Sequence, residues 1–225
     1  GTVETGSNGW ARTLFSGGDA YDNGAWRANL NLTRTAGWHD RAEYDRESAS
    51  LRWDHALTDN TVTKTVLSWS HIDQHHVGSV GDEDYKHDPK KNNASISARA
   101  VDALRLSTNI EQENGNRLWS FTPYYRDNRM TILPNWSLSY DATQYTTENE
   151  SVGLLSKYRV DIEPLHTRLI VGLDLDYSPG TREEDKVDVV AEGTGINRHY
   201  DDFTRGAELY DYDVTFSSVS PYVQA

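Results

Sequence analysis

Apolar and polar residues alternate with a period of two over most of the chain, the pattern of strands with one face covered by an apolar medium or core. In Trp26–Thr33, Trp26, Ala28, Leu30 and Leu32 share one face, and Arg27, Asn29, Asn31 and Thr33 share the other. In Ser48–His55, Ala49, Leu51 and Trp53 oppose Ser50, Arg52 and Asp54. The same reading places Leu104, Leu106, Thr108 and Ile110 on one face of Leu104–Glu111, and Trp119, Phe121 and Tyr125 on one face of Leu118–Arg126. It groups Val152, Leu154, Tyr158 and Val160 in Val152–Val160, and Leu169, Val171, Leu173, Leu175 and Tyr177 in Arg168–Tyr177. In Tyr210–Phe216, Tyr210, Tyr212, Val214 and Phe216 oppose Asp211 and Asp213. Thr61–Ile72 is less regular, with Leu67 and Trp69 on one face and Val62 and Val66 on the other. Two further strands are expected in Gly1–Gly6 and Trp10–Ser16, joined through Ser7–Gly9, with Gly17–Gly24 as a glycine-rich turn. No stretch predicts a helix; Ala98–Leu104 comes nearest and runs straight into a strand pattern.

The connections fall into two kinds. Short turns are expected at Leu57–Asn60, Glu113–Asn116, Asp161–His166 and Ser217–Ser220, and Asn114-Gly115 is a strong hairpin signal by itself. Long polar segments lie between them: Gly37–Glu47, Asp73–Val101, Asp127–Thr146 and Ser178–Gly206. Short turn, long strand, long loop, long strand is the order of an up-and-down antiparallel meander with its short turns at one rim and its long loops at the other. A transmembrane β-barrel has that asymmetry, and its strands need about 9–11 residues to cross the apolar layer. Trp26, Trp53, Trp69, Tyr125, Tyr158, Tyr177 and Tyr210 stand near strand ends, where aromatic girdles form. A soluble β-sandwich would alternate in the same way; strand length, rim asymmetry and aromatic placement favour the barrel. The pattern makes about ten strands, with Ser220–Ala225 as the start of another. A barrel must close to remove its edges, so the expected fold is all-β: an antiparallel transmembrane barrel, incomplete in this chain.

Composition narrows the chemistry. The 225 residues carry a net charge of −13, which disfavours binding to nucleic acid phosphates. There is no cysteine, so disulfides, thiolate metal sites and thiol catalysis are excluded. Aromatic residues make up 11%, mostly 13 Tyr and 7 Trp, unlike a disordered segment. No apolar run approaches the length of a membrane-crossing helix. No nucleophile elbow, P-loop, His-Glu-x-x-His or dinucleotide-binding string occurs, so an enzyme is not expected.

Several strings carry a family resemblance: Gly1-Thr2-Val3-Glu4, then a Gly-rich turn and Trp26-Arg27-Ala28-Asn29-Leu30; Thr33-Arg34-Thr35-Ala36-Gly37-Trp38; Leu51-Arg52-Trp53-Asp54; Tyr124-Tyr125-Arg126-Asp127-Asn128; and Ser220-Pro221-Tyr222-Val223-Gln224-Ala225. In their order and spacing the chain resembles the barrel of TonB-dependent outer-membrane receptors. The resemblance implies a barrel of about 22 strands, of which residues 1–225 would form roughly the first half. It implies a plug domain and a TonB box outside this chain, a place in the outer membrane of a Gram-negative bacterium, and no cofactor. The implied partners are outer-membrane lipid, the plug, the TonB complex and a scarce ligand, usually a ferric siderophore. Cobalamin, copper or an oligosaccharide are alternative cargoes, a porin or adhesin barrel is an alternative protein, and a soluble carbohydrate-binding β-sandwich is an alternative fold.

Within that frame, ligand contacts are expected from Tyr124, Arg126, Arg129, Trp136, Tyr140 and Tyr145, followed by Glu148 and Glu150. Rings stack on a chelate and guanidinium groups offset its charge. His75, His76 and His87, with Asp82, Glu83, Asp84 and Asp88 after His71, are weak metal candidates, because imidazole suits transition metals but the spacing matches no motif. Ser178–Gly206, with Arg182, Glu183, Glu184, Asp185, Lys186, Arg198, His199, Tyr200, Asp201 and Asp202, is expected as a solvated loop able to close over a ligand. Arg52, Asp54, Lys64, Arg105, Glu111, Lys157, Arg159, Arg168, Asp174 and Asp176 are expected to face the lumen and pair across the wall.

Overall fold

In the computed structural model, which describes residues 1–225, ten antiparallel strands form one sheet in chain order. They are β1 (Thr2–Thr5), β2 (Ala11–Tyr21), β3 (Gly24–Thr35), β4 (Tyr44–Thr58), β5 (Thr61–His75), β6 (Ala98–Asn114), β7 (Arg117–Leu133), β8 (Thr143–Ile162), β9 (Thr167–Glu192) and β10 (His199–Gln224). The ten strands correspond one to one with those expected. The register carries one apolar face through the sheet: Ala28, Leu51, Leu67, Leu106, Tyr125, Val152 and Tyr177 stand opposite one another in turn. Trp26 and Trp53 pair on that face, as do Trp119 and Tyr158. The polar face carries a parallel row through Asn29, Ser50, Ser68, Arg105, Arg126 and Ser151.

The apolar face has the dimensions of a membrane belt. On β9, Leu169 to Tyr177 places five apolar side chains over nine residues, against the roughly 9–11 a tilted strand needs to cross. Near the short-turn rim the Trp53 indole Nε1 donates to the Tyr21 hydroxyl at 2.6 Å, and the Trp119 and Tyr158 rings lie 4.2 Å apart. Such rings put an apolar body in the belt and a polar tip beyond it. On the polar face, Arg52 meets Asp54 at 2.8 Å, Arg159 meets Glu113 at 2.8 Å, and Arg168 meets Asp161 at 2.6 Å. The first pair lies within one strand, the second reaches from β8 over β7 to β6, and the third joins the neighbouring strands β8 and β9.

Two of the three prolines in the strands sit where the ladder is broken. Pairing between β6 and β7 is interrupted between Ser107–Tyr124 and Ile110–Phe121, around Pro123. Pairing between β8 and β9 is interrupted between Asn149–Gly180 and Val152–Tyr177, around Pro179. A proline has no N–H for the ladder. Beside Pro123 the Asn109 amide donates instead to Ser120 Oγ and Thr122 Oγ1, both at 2.9 Å.

Several sequence expectations need correction. Gly17–Gly24 is mostly strand: β2 continues through Gly17 and Gly18 to Tyr21, paired with β3, and only Asp22 and Asn23 turn. Ser217–Ser220 is not a turn and Ser220–Ala225 does not start a new strand. Both belong to β10, which pairs with β9 without a break from Tyr210 to Gln224. The serines and Pro221 mimic turn chemistry, but Pro221 stands in the ladder opposite Leu173 of β9. The long segments are also shorter than expected. The connections are 36–43, 76–97, 134–142 and 193–198, because β7 to β10 continue far past their apolar stretches. Ser178–Gly206 is therefore a tall hairpin rather than a loop. One short helix, α1 (Asp82–His87), lies in the 76–97 connection, with Asp82, Glu83 and Asp84 in its first turn and Lys86 and His87 in its last. That charge order suits the helix dipole. Ala98–Leu104 is strand, the start of β6.

Above the belt the burial changes side. On β9, Val171, Leu173, Leu175, Tyr177, Thr181 and Glu183 are exposed, whereas Asp185 and Val187 on the same face are buried. Val187 belongs to a small core with Ala94, Leu133, Leu138 and Tyr200, flanked by Ile96, Ala142, Val189, Ala191 and Phe203. The connections 76–97 and 134–142 thus cover the upper part of a face that is bare below. Tyr210, Tyr212, Val214 and Phe216 also differ from expectation. They stand opposite Glu184, Arg182, Gly180 and Ser178, on the polar face, while Asp211 and Asp213 take the other. This stretch lies above the belt, so its apolar residues have no lipid-like medium to face.

Candidate functional site

The expected ligand residues divide among three places. Tyr124 and Arg126 stand on the polar face of β7, two residues apart, in the spanning part of the wall. The Tyr124 hydroxyl donates to Asp176 of β9, passing over Gly153 of β8. A Cβ on Gly153 would collide with the Tyr124 ring, so glycine permits this crossing. The Arg126 guanidinium reaches the same carboxylate at 3.0 Å and lies 5.0 Å from the Tyr124 ring centre. Ser178 donates to the other oxygen of Asp176 and also contacts the Ser151 hydroxyl at 2.8 Å. Asp176 organises this cluster and stands among the residues expected in the lumen row, paired as that row predicts. Arg126 Nε and Asp174 Oδ1 beside it are buried without a partner.

Tyr145 belongs to a second cluster, higher on the same face. Its partner across the ladder is Glu184, and the Arg182 guanidinium lies 4.0 Å from its ring centre. Arg182 donates to Glu184 at 2.6 Å; this carboxylate, with Tyr212 and Tyr145 adding to it, raises the guanidinium pKa further. Tyr212 and Phe216 stand on the same face of β10. None of the aromatic ring pairs in the molecule involves Tyr210, Tyr212 or Phe216. Tyr212 and Phe216 were recognisable in the sequence as part of an alternating strand; their place beside Tyr145 was not, because it depends on β9 continuing through Arg182.

Trp136 and Tyr140 occupy the third place, the 134–142 connection at the long-loop rim. Their rings lie 6.5 Å apart, and they are 63% and 71% exposed. The loop beneath them is held by buried Leu138 and Ser137. Arg129 stands apart from these groups. It pairs with Glu148 at 3.2 Å, on the face opposite Tyr124 and Arg126, and Glu150 shares that face.

The histidines do not converge. His75 Nδ1 faces the Ser95 carbonyl at 3.4 Å, His76 Nδ1 meets the Ser97 hydroxyl at 2.9 Å, and His87 Nδ1 meets the Glu83 carbonyl in α1 at 2.9 Å. No group of three His, Asp or Glu side chains is placed to hold a metal ion. Burial, then the positive charge of Arg99 and the neighbouring His75, hold the His76 imidazole below its ordinary pKa. That favours the neutral ring at a packed position above the belt.

No protein-family model matches the chain, and no curated protein matches it in sequence. Solved structures do match its fold. A chain of the FpvAI–pyocin S2 complex superposes with a TM-score of 0.77 at 15% identity, over 98% of this chain and 34% of that one. The ferric citrate transporter FecA, unliganded, gives 0.73 at 12% identity, over 99% and 33%. The ferripyoverdine receptor of the outer membrane of Pseudomonas aeruginosa, bound to ferripyoverdine, gives 0.73 at 14% identity, over 98% and 33%. The chain has the fold of a stretch of siderophore-receptor barrel. It spans about a third of the length of these proteins. In barrel terms the polar face lines the lumen, the apolar face is the outer wall, and the connections 36–43, 76–97, 134–142 and 193–198 share one rim with the Gly6–Trp10 turn. Tyr124, Arg126, Tyr145, Arg182 and Tyr212 then share the lumen wall, while Arg129 faces outward.

Proposed function

We propose that the chain, residues 1–225, is part of the barrel domain of a TonB-dependent outer-membrane receptor that takes up an iron chelate of the ferric siderophore type. The observation that carries the reading is the match of almost the whole chain to receptor barrels at TM-scores of 0.73–0.77. The continuous apolar outer face and the rim asymmetry support a place in the outer membrane. The neighbours are receptors and a transporter, and binding and translocation of a chelate require no covalent chemistry by the wall. A plug inside the barrel and the TonB complex below it belong to the same proposal.

Ligand contact in this reading comes from the lumen and the loop rim: Tyr124, Arg126 and Tyr145 on the wall, and Trp136 and Tyr140 at the mouth. Rings offer stacking surface and the guanidinium offsets chelate charge. The first experiment is fractionation of cells producing the intact gene product. An outer-membrane band whose migration on a gel changes with heating, together with a growth defect of the deletion strain on at least one ferric chelate as sole iron source, is the expected result. A freely soluble product removes the membrane reading, and a deletion strain that grows normally on every iron chelate offered removes the iron cargo. In the strain that passes, Trp136→Ala with Tyr140→Ala should weaken use of that chelate and leave the heat-shifted band unchanged.

A further inference from the structure

The 76–97 connection does more than join β5 to β6. We propose that it is a fixed strap which locks four rim connections into one cap at the rim, with Asn92 and Asn93 as its pins. The rim of this part of the barrel is then preformed rather than assembled around cargo. The proposal is independent of what the cargo is.

Burial of polar side chains is the first observation. Asn92, Asn93, Ser95 and Ser97 are 7%, 4%, 4% and 0% exposed, in a segment that reads as long and polar in sequence. Buried amides and hydroxyls persist where hydrogen bonds replace water; here some bonds fold the connection on itself and others run to other connections and strands, while Asn93 Oδ1 has no partner. The Asn92 amide donates to the Arg41 carbonyl of the 36–43 connection at 3.2 Å and to the His76 carbonyl at 3.0 Å. Its side-chain oxygen accepts from the Gly78 and Ala94 N–H groups, both at 3.0 Å. The Asn93 amide donates to the Ser79 carbonyl at 2.9 Å and to the Ile196 carbonyl of the β9–β10 turn at 3.1 Å. Around these pins, the Tyr200 N–H donates to the Asn93 carbonyl at 3.1 Å and the Asp40 N–H to the Lys90 carbonyl at 2.7 Å. Ser95 Oγ donates to the Tyr200 carbonyl at 3.0 Å, and Ser97 Oγ to the Leu133 carbonyl at 2.7 Å.

The span of these bonds is the second observation. Arg41 also pairs directly with Asp201 of β10 at 2.9 Å. Six strand intervals separate β4 from β10, roughly 29 Å along a sheet whose strands lie about 4.8 Å apart. Contact over that arc needs the sheet to curl and the connections to meet across the chord. Apolar packing completes the strap: Ala94 and Ile96 lie in the small core with Leu133, Leu138, Val187 and Tyr200. Gly78 lies so close to Ala94 that a Cβ there would come within 2.9 Å of the Ala94 nitrogen, which is tight packing and not a loose loop.

Hydrogen exchange on the full-length receptor in nanodiscs tests the strap without any ligand. The expected result is that the amides of Asp40, Ser97 and Tyr200 exchange at least ~100-fold more slowly than unstructured amides. In Asn92→Ala and in Asn93→Ala, exchange should rise by ~10-fold or more in 36–43, 76–97 and 193–201 together, as expected of one cooperative unit. Tyr85→Ala, on the exposed face of α1 in the same connection, should change none of them. Unprotected amides in the wild-type receptor overturn the proposal even if both variants fail to assemble. Loosening confined to 76–97 in an assembled variant overturns it as well.

Discussion

Along β9 the odd-numbered side chains keep one direction and change neighbours. From Leu169 to Tyr177 they form the bare apolar outer wall; from Asp185 to Ala191 they are packed beneath the 76–97 and 134–142 connections. The two halves share a period and a backbone, and differ in what lies against them. An alternating pattern therefore reports a strand wherever it occurs, but not the medium on either side. Below, the medium is uniform across the seven strands β3 to β9 and the apolar face repeats from strand to strand. Above, each stretch meets a different loop, and β10 turns Tyr210, Tyr212 and Phe216 to the polar side.

The largest expected effect separates those halves directly. Leu173→Arg puts a charge in the middle of the outer apolar belt, where the cost is about 2–4 kcal/mol. Glu183→Arg, on the same face of the same strand but above the belt, should stay within about 0.5 kcal/mol of wild type. Urea titrations of the full-length protein refolded into bilayers measure both. Equal losses would mean that the belt does not end between Tyr177 and Glu183.

The same contrast explains what was legible. Ten strands, their order and the face of each charged residue expected in the lumen row, from Arg52 to Asp176, follow from period two and turn chemistry, since both are local. The height of β7 to β10 does not, because Arg182, Glu184 and Asp188 look like a solvated run unless the alternating Val187, Val189 and Ala191 are given a cover. That cover comes from Ala94, Ile96 and Leu138, distant in sequence. The site residues show the same limit. Tyr124, Arg126 and Tyr145 could be picked by type and face, whereas the partners that organise them, Asp176 and Arg182, are set by cross-strand register. Arg129 has the residue type of a ligand contact, but its parity on β7 places it outward with Glu148.

A smaller effect is expected inside the lumen. Tyr124→Phe removes one donor from the Asp176 carboxylate and leaves the ring over Gly153 in place. A hydrogen bond to a charged group is worth about 1.5–3 kcal/mol net, and the remaining Arg126 and Ser178 contacts keep the loss toward the low end. Asp176→Asn in the Tyr124→Phe background should then add less than it does alone, because the two residues share one interaction. Full additivity in a double-mutant cycle on the stability of the full-length protein would show that the two side chains act separately.

Acid distinguishes the cap from the wall. Burial, Arg99 and His75 hold His76 below its ordinary pKa, so the unfolded chain binds that proton more readily than the folded one. The contribution to stability is complete above the ordinary imidazole value and is lost as pH falls through the depressed one. Going from about pH 7.5 to about pH 5 should therefore lower the protection factor of the Ser97 amide, its slowing relative to the intrinsic exchange rate at each pH, next to the His76 contact at Ser97 Oγ. It should leave the protection factors of the β9 belt amides unchanged, and His76→Gln should flatten the response. A pH response that survives in His76→Gln would assign it to another group.

The smallest effect concerns the outer wall above the belt, where Arg129 meets Glu148 at 3.2 Å with side chains 61% and 47% exposed. In water such a pair is screened and gives up side-chain entropy to hold its geometry, so its coupling should be about 0.2–1 kcal/mol. Arg129→Ala, Glu148→Ala and the double variant close the cycle. Salt should weaken the coupling further, since exposed charges are screened over a Debye length of about 8 Å at physiological ionic strength. A coupling well above 1 kcal/mol that resists salt would place the pair in a drier setting than the aqueous side of the belt. The boundary inferred from β9 would then need to move up the wall, past Arg129 on β7 and Glu148 on β8.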